Sequence, residues 1–499
     1  MLNQNEQSSL AAVQVEELGD LASLLKKEFK PRTDGAEQAV ASAVKTLAEQ
    51  ALATTTLLST DVVQSIEALI FAIDEKLGKQ LDKILHHPDF QQLEGAWRGL
   101  HYMVSNTETD EALKIRVMNI SKKDLGKVFS RFKGAAWDQS PLFKQIYESE
   151  FGQLGGFPYG CLVGDFQFDH SPPDVEILKG MAQIAAAAHA PFIASPQPSL
   201  FQMESWQELS NPRDLTKIFQ TPEYAAWRGF RGSDDARYVG LAMPRFLARL
   251  PYGEKTNPCG GMAYEETTTG GRHDQYTWAN SAYAMATNIT RSFKQYGWCT
   301  SIRGVESGGA VANLPTHTFS TDDGGVDMKC PTEIAITDRR EAELAKIGLM
   351  PLIHRKNTDF AAFIGAQSVH QAAEFDDPAA TANANLGACL PYIFATSRFA
   401  HYLKVIVRDK VGRSDWNTAT AVQRNLQNWI LNYVDGDPEG SSEMVKATHP
   451  LAFAEVVVVE NKQKPGYYGA QFFLRPHYQL EGLNISLRLV SELPSQRAG

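Results

Sequence analysis

No apolar run in this sequence is long enough to cross a bilayer. The longest, at 184–194, is interrupted by His189 and Pro191. The N-terminus, MLNQNEQSSLAAVQVEE, lacks the basic start and apolar core of a secretory signal. Five cysteines, Cys161, Cys259, Cys299, Cys330 and Cys389, are far apart and never spaced CxxC, so neither a disulfide framework nor a zinc site is expected. A reducing cytoplasm fits that usage. No Lys/Arg block is dense enough to follow a phosphate backbone, and the net charge of -10 argues against nucleic acid as a partner. The P-loop, the strand-coupled GxGxxG, the GxSxG elbow, HExxH and the EF-hand loop are all missing from the sequence, which lowers the expectation of catalysis or of a bound cofactor.

What remains is an ordinary globular composition, 43% hydrophobic and 21% charged, in a chain of 499 residues that has room for several cores. After a polar start, Leu18, Leu21, Ala22, Leu25 and Phe29 fall on one helical face, and Pro31 stops the helix. This helix either is a tethered recognition peptide or folds back on the body. Residues 37–85 read as helical, with a break near 59–61 and a stop at His86-His87-Pro88. Another helix is expected at 89–105, with Trp97 and Leu100 on its face, and a strand at 113–120. Between 159 and 391 short strands (160–163, 238–243) alternate with helices (175–189, 277–296, 339–346), which indicates an α/β or α+β body. The Gly/Thr-rich stretch 257–272 reads as a surface loop. Helices at 391–409 and 421–434 and a strand at 454–459 follow. The chain then ends in two strands, 470–480 and 483–490, joined at Glu481-Gly482. In the second, Leu483, Ile485, Leu487 and Leu489 recur with the period of two of a half-buried strand. Such terminal strands either finish their own sheet or pair with the sheet of another subunit.

Two polar constellations stand out. Asp322, Asp323 and Asp327, near His317 and Cys330, either hold a divalent cation or form a tight turn. The loop 303–309 is glycine-rich, as needed either to cradle phosphate or to let two backbones approach closely. Trp97, Trp206, Trp227, Trp278 and Trp298 are scattered and read as core or interface anchors. The helix at 338–346, DRREAELAK, opens with a cap-like Asp338 and carries Arg339, Arg340, Glu341 and Glu343.

Over residues 18–494 the chain resembles the large subunit of the type VI secretion contractile sheath, the TssC/VipB family. The resemblance rests on DFQQLEGAWRGL at 89–100, PYGCLVGD at 158–165, SWQEL at 205–209, PRFLARLPYG at 244–253, RGVESG at 303–308 and FLRPHYQLEG at 473–482. It implies an α+β, tail-sheath-like multidomain subunit of mixed sheets with flanking helices, cytoplasmic and without enzymatic activity or cofactor. It further implies an N-terminal arm (1–35), a helical region pairing with the small sheath subunit (36–105), an α/β body (106–390) and a C-terminal part (391–499) with exchanged strands. Implied partners are a TssB/VipA-like small subunit, further copies of the chain, an Hcp-like inner tube, the baseplate and a ClpV-like AAA+ ATPase. The ATPase would take the Leu18, Leu21, Ala22, Leu25, Phe29 face. Phe472, Leu474, Leu483, Ile485, Leu487 and Leu489 would lie on the inter-subunit strands. Arg339, Arg340, Glu341 and Glu343 either face the tube or form a solvated helix. Two other readings are a phage-type tail sheath built from one subunit type and a metal-dependent α/β enzyme using Asp322, Asp323, Asp327 and His317.

Overall fold

The computed structural model describes residues 62–211, 214–260, 262–321, 323–410, 418–460, 468–477 and 487–493, with isolated positions 35, 38, 42 and 46. Two compact units emerge. One holds the described residues up to Phe90 together with Pro251–Thr268, and the other holds Gln91–Leu250 and the described residues from Thr269 onward.

In the first unit, α1 (Val62–Leu85) begins just after the expected break, which itself lies outside the described residues. The stretch expected to be a surface loop folds onto this helix. Asp82 accepts hydrogen bonds from the Tyr264 hydroxyl at 2.6 Å and the Thr267 hydroxyl at 2.6 Å. The Tyr264 ring lies against Gly78, where a Cβ would come within 3.3 Å of it. Glu266, also buried, accepts from the Tyr252 amide at 2.9 Å and faces His86 at 3.2 Å. Gly/Thr-rich composition left the loop without periodicity, and its two buried side chains are what hold it down.

The second unit holds α2 (Pro88–Ser105) from Gln91 onward, followed by α3 (Lys122–Arg131), whose cap Ser121 accepts the Asp124 amide. The stretch 113–120, expected as a strand, forms no ladder among the described residues. Asp110 takes the amides of Ala112 and Leu113, and Val117 and Met118 remain exposed. The alternation is there, but a strand needs a neighbour.

A six-stranded mixed sheet forms the centre. Its strands are β1 (Leu162–Phe168), β2 (Phe192–Pro196), β3 (Val239–Met243), β4 (Ala310–Val311), β5 (Met350–His354) and β6 (Ala361–Phe363), in the order β1-β2-β3-β5-β6-β4. The first three pairings are parallel and the last two antiparallel. Side chains alternate between the two faces as the strand period requires. Phe192 and Ala194 of β2 and Val239, Leu241 and Met243 of β3 pack with α4 (Pro172–Ala188) in one core. Ile193 and Ala242 point the other way, into a second core with α5 (Ser281–Tyr296). Both faces are covered, so β2 and β3 are buried along their whole length. Helix α5 starts at Ser281, later than expected, because Asn280 caps it and residues 278–279 pair with 246–247 instead.

Beyond the sheet come α6 (Asp338–Lys346), α7 (Leu390–Lys410) and α8 (Ala419–Leu431). The start of α7 gives Leu390 and Phe394 to the second core, and its later turns give Phe399 and Leu403 to a third. That third core joins α8 to a C-terminal antiparallel sheet of β7 (Leu451–Glu460), β8 (Tyr468–Pro476) and β9 (Leu487–Leu493). Of the last strand, expected at 483–490, the described residues begin at Leu487.

Where the end of α4 meets α7, His189 and His401 stack edge to face with centroids 6.2 Å apart, and His401 Nε2 donates to the Ala188 carbonyl at 2.9 Å. Lys404 lies 3.4 Å from the Phe151 ring centroid beside them. Burial is the main cause that holds both imidazoles at about 4, and burial with Arg408 nearby brings the Lys404 ammonium down to about 8. A histidine that is neutral in the fold but takes a proton at about 6.5 when unfolded gives its full stability above pH ~6.5 and loses it as the pH falls toward 4. For His401 alone this amounts to about 3 kcal/mol. H401Q keeps a donor for Ala188 and does not titrate, so thermal unfolding followed from pH 7.5 to 4 should show a shallower loss of stability than in the parent chain. An identical slope in both proteins would assign the loss to other groups.

Candidate assembly surfaces

Helix α2 turns the usual arrangement around. Gly95 and Gly99 lie on its inner side, where an added Cβ would strike the Trp278 carbonyl and the Tyr283 ring, and Met103 completes that face against Tyr283 and Ala286. Glu94 pins the helix in place. It accepts from Arg249 and from Arg98, each at 2.7 Å, and from the Thr277 hydroxyl at 2.8 Å. Burial opposes its charge, but these donors outweigh burial and hold the carboxyl below the ordinary carboxylate range. Two helix positions span about 200°, so Trp97 points away from Gly95 and Gly99. It is 64% exposed, with Leu93 and Val104 exposed along the same helix. Trp206, Trp227, Trp278 and Trp298 are all buried, which leaves Trp97 as the tryptophan of that group offered to a partner. Helix α1 of the other unit likewise leaves Ile70, Phe71 and Ile84 exposed, Phe71 to 67%.

The C-terminal sheet sorts the residues expected on shared strands. Phe472 and Leu474 lie on β8, the middle strand, and are buried in the chain's own third core with Val422, Leu426 and Ile430 of α8. Leu489 pairs with Phe472 and Leu487 with Leu474. Leu483 and Ile485 lie outside the described residues. With β8 paired on both sides, its backbone offers nothing to another chain, and the edge strands of the sheet are β7 and β9.

Helix α6 is capped by Thr337, which accepts from the Arg340 amide, and not by Asp338, which sits in the first turn. Of the four residues expected to face the tube, Arg339 is the exposed one, its side chain 90% exposed and 3.4 Å from Glu343. Arg340 bonds Glu343 and the Asn211 carbonyl. Glu341 is half-buried, and burial followed by Asp338 raises its carboxyl above the ordinary range. The helix is thus docked through Leu344, Arg340 and Glu341 and presents Arg339 outward. The face of Leu18, Leu21, Ala22, Leu25 and Phe29 lies outside the described residues.

The polar constellations separate in space. His317 is buried against the Tyr276 hydroxyl at 3.0 Å, while Asp327 is exposed and accepts its neighbour's amide from Met328. Asp323 is exposed and Asp322 lies outside the described residues, among which no group of three ligand-type side chains converges. The 303–309 loop is built for close backbone approach. Gly304 donates to the Phe363 carbonyl at 2.8 Å, Phe363 donates to Gly309 at 2.9 Å, and a Cβ at Gly308 or Gly309 would strike the Ser301 or Phe363 carbonyl. Among the described residues no helix is long and apolar enough to cross a membrane.

The chain was compared with known proteins. Residues 67–370 match the family described as EvpB/VC_A0108, tail sheath N-terminal domain, and residues 379–493 match its tail sheath gpW/gp25-like domain. A Pseudomonas aeruginosa protein named type VI secretion system sheath protein TssC1 is 67% identical over 482 residues, which covers 97% of this chain and 96% of that protein. Among solved structures, the anti-feeding prophage helical sheath in its contracted state is similar at a TM-score of 0.32 and 11% identity, over 81% of this chain and 84% of that one. A sheath tail protein from Desulfitobacterium hafniense gives 0.30 and 8%, over 64% and 60%. With its sequence matched by both domain models from 67 to 493, save a short gap, the chain belongs to the EvpB/VC_A0108 tail sheath family and is a structural subunit of a contractile sheath, not an enzyme.

Proposed function

We propose that this chain is the larger of two subunits in a cytoplasmic type VI secretion sheath. In this reading it pairs with a smaller sheath protein, and the pairs polymerise as a helical tube around an inner tube that contraction drives outward. The observation that carries the reading is the 67% identity over 97% of the chain to the sheath protein named TssC1. The energy is stored in the extended lattice at assembly, so the subunit needs no nucleotide of its own. Electron microscopy of the chain co-expressed with its neighbouring open reading frame tests this directly. Tubes or cogwheel-like filaments that require both proteins are expected. Polymers of this chain alone would point to a sheath of one subunit type.

Three surfaces fit the assembly. The exposed Leu93, Trp97 and Val104 face suits the small subunit, since aromatic anchors dominate protein interfaces. The helix expected from the sequence at 18–29 would suit the groove of a recycling AAA+ ATPase through its apolar face. Arg339 of α6 suits a polar contact with the inner tube, which must release during contraction, and the sheath end suits a baseplate.

The parity of the backbone groups in the C-terminal sheet supports a shared sheet. Ala454, Val456 and Val458 turn their N–H and C=O groups away from β8, as the hydrogen bonds they make on the other side require. Their partners on β8 therefore point toward β9, and alternation leaves Arg488, Val490 and Glu492 facing outward. Among the described residues nothing pairs with that outer edge of β9. A strand from a neighbouring copy adding there would keep subunits linked while they rotate, because ladder bonds survive a rigid-body move.

W97D should weaken binding of the small subunit about 100-fold while leaving the melting temperature within a few degrees. Equal affinity in a titration would remove this face from the interface. V490P deletes an outward donor without touching the ladder to β8, and should block tube formation while the heterodimer still purifies. Normal tubes in micrographs would show that strands do not add at β9. Deleting residues 1–30 should abolish retention of the ATPase in a pull-down but not assembly, and undiminished retention would place its site elsewhere.

A further inference from the structure

The outer edge of β7 is not open. Gln427 of α8 donates from Nε2 to the Ala454 carbonyl at 3.1 Å and accepts with Oε1 from the Val456 amide at 2.7 Å. One turn earlier, Gln423 accepts with Oε1 from the Val458 amide at 3.3 Å. A carbonyl and the amide two residues on are the pair that a single residue of a parallel strand would bond. The Gln427 carboxamide therefore stands where the peptide groups of a fourth strand would lie. Helix α8 is held there by Val422, Leu426 and Ile430, which pack into the third core with Val456 and Val458. Side chains four apart share a helix face, so both glutamines reach the same strand. Only an uncharged amide serves this purpose at Gln427. A carboxylate could accept from Val456 but would repel the Ala454 oxygen, and an ammonium could only donate.

We infer that Gln423 and Gln427 form an edge guard that keeps strands of other copies of this chain off β7 and so directs strand addition to β9. The inference rests on the shared-sheet reading above and specifies how that sharing is regulated. A sheet with two open edges can be extended from both sides, and a long apolar strand such as β7, with Phe453 and Val459 exposed on its outer face, is a template for unwanted pairing. Covering one edge with a helix leaves one place for the next subunit, which a lattice with a defined register requires. The guard is made of side chains, so it costs the chain no extra strand.

The test uses the full chain co-purified with its small sheath partner. Hydrogen exchange read by mass spectrometry over peptides spanning 454–458, together with electron micrographs of the assembled material, should separate Q423A/Q427A from the parent. In the double variant, exchange across 454–458 should rise at least tenfold, and irregular or branched aggregates should appear beside the tubes. Q427E, which leaves the core face of α8 intact, should show a smaller rise and fewer aggregates, and it remains informative if the double variant does not fold. Unchanged exchange in both variants overturns the inference. So does faster exchange accompanied only by regular tubes, because an opened edge would then admit nothing. V490P reports separately on strand addition at β9, so failure of the guard and failure of strand sharing are distinguishable.

Discussion

The outward row of N–H and C=O groups on an edge strand has to be satisfied by something, and the C-terminal half of this protein is organised around that demand. A central strand such as β8 meets it with two neighbours. On one side β7 meets it with the glutamines of a helix. On the other, β9 has no partner within the described chain. In an isolated subunit that edge is a liability, and in the proposed polymer it would be the point of attachment. Asymmetry between the two edges gives the module a direction, as a helical array needs.

The same logic governs α2. Glycines that let a helix settle closely on its own body leave the opposite face with nothing among the described residues to cover it. Gly95 and Gly99 bring the helix against Trp278 and Tyr283, and Glu94 fixes its rotation through Arg249, whose side chain is only 5% exposed. With rotation fixed, Trp97 has one direction in which to point. Preorganising an anchor in this way reduces what association must spend on ordering it.

Much of this was readable in the sequence, and what was not has physical reasons. The helices α4, α5, α7 and α8 were expected close to where they lie, although the Asn280 cap that starts α5 was missed. Strand β2 was hidden because Phe192-Ile193-Ala194-Ser195-Pro196 is buried on both faces and so shows no alternation. The reverse error came at 113–120, where alternation was clear but no second strand pairs with it among the described residues. Trp97 was visible as an anchor, but a stripe at helical spacing looks alike whether it faces a core or a partner. Only the glycines two positions to either side of it distinguish the cases, and their meaning depends on Trp278 and Tyr283, almost two hundred residues away. The family resemblance supplied the assembly itself, which no local pattern contains. It placed Phe472 and Leu474 on shared strands, whereas the structure seats both side chains in the subunit's own core.

Helix α7 has its first turns bedded in the core beneath the central sheet, through Leu390 and Phe394, and its later turns bedded in the core beneath the terminal sheet, through Phe399 and Leu403. At 21 residues it is about 30 Å of hydrogen-bonded rod. Tension applied to the terminal sheet is therefore carried along a helix axis into the sheet that forms the bulk of the subunit, rather than through a loop that would stretch first. The His189, His401 and Lys404 packing grips that rod at its middle turns. A pull on the terminal sheet therefore turns the central sheet with it.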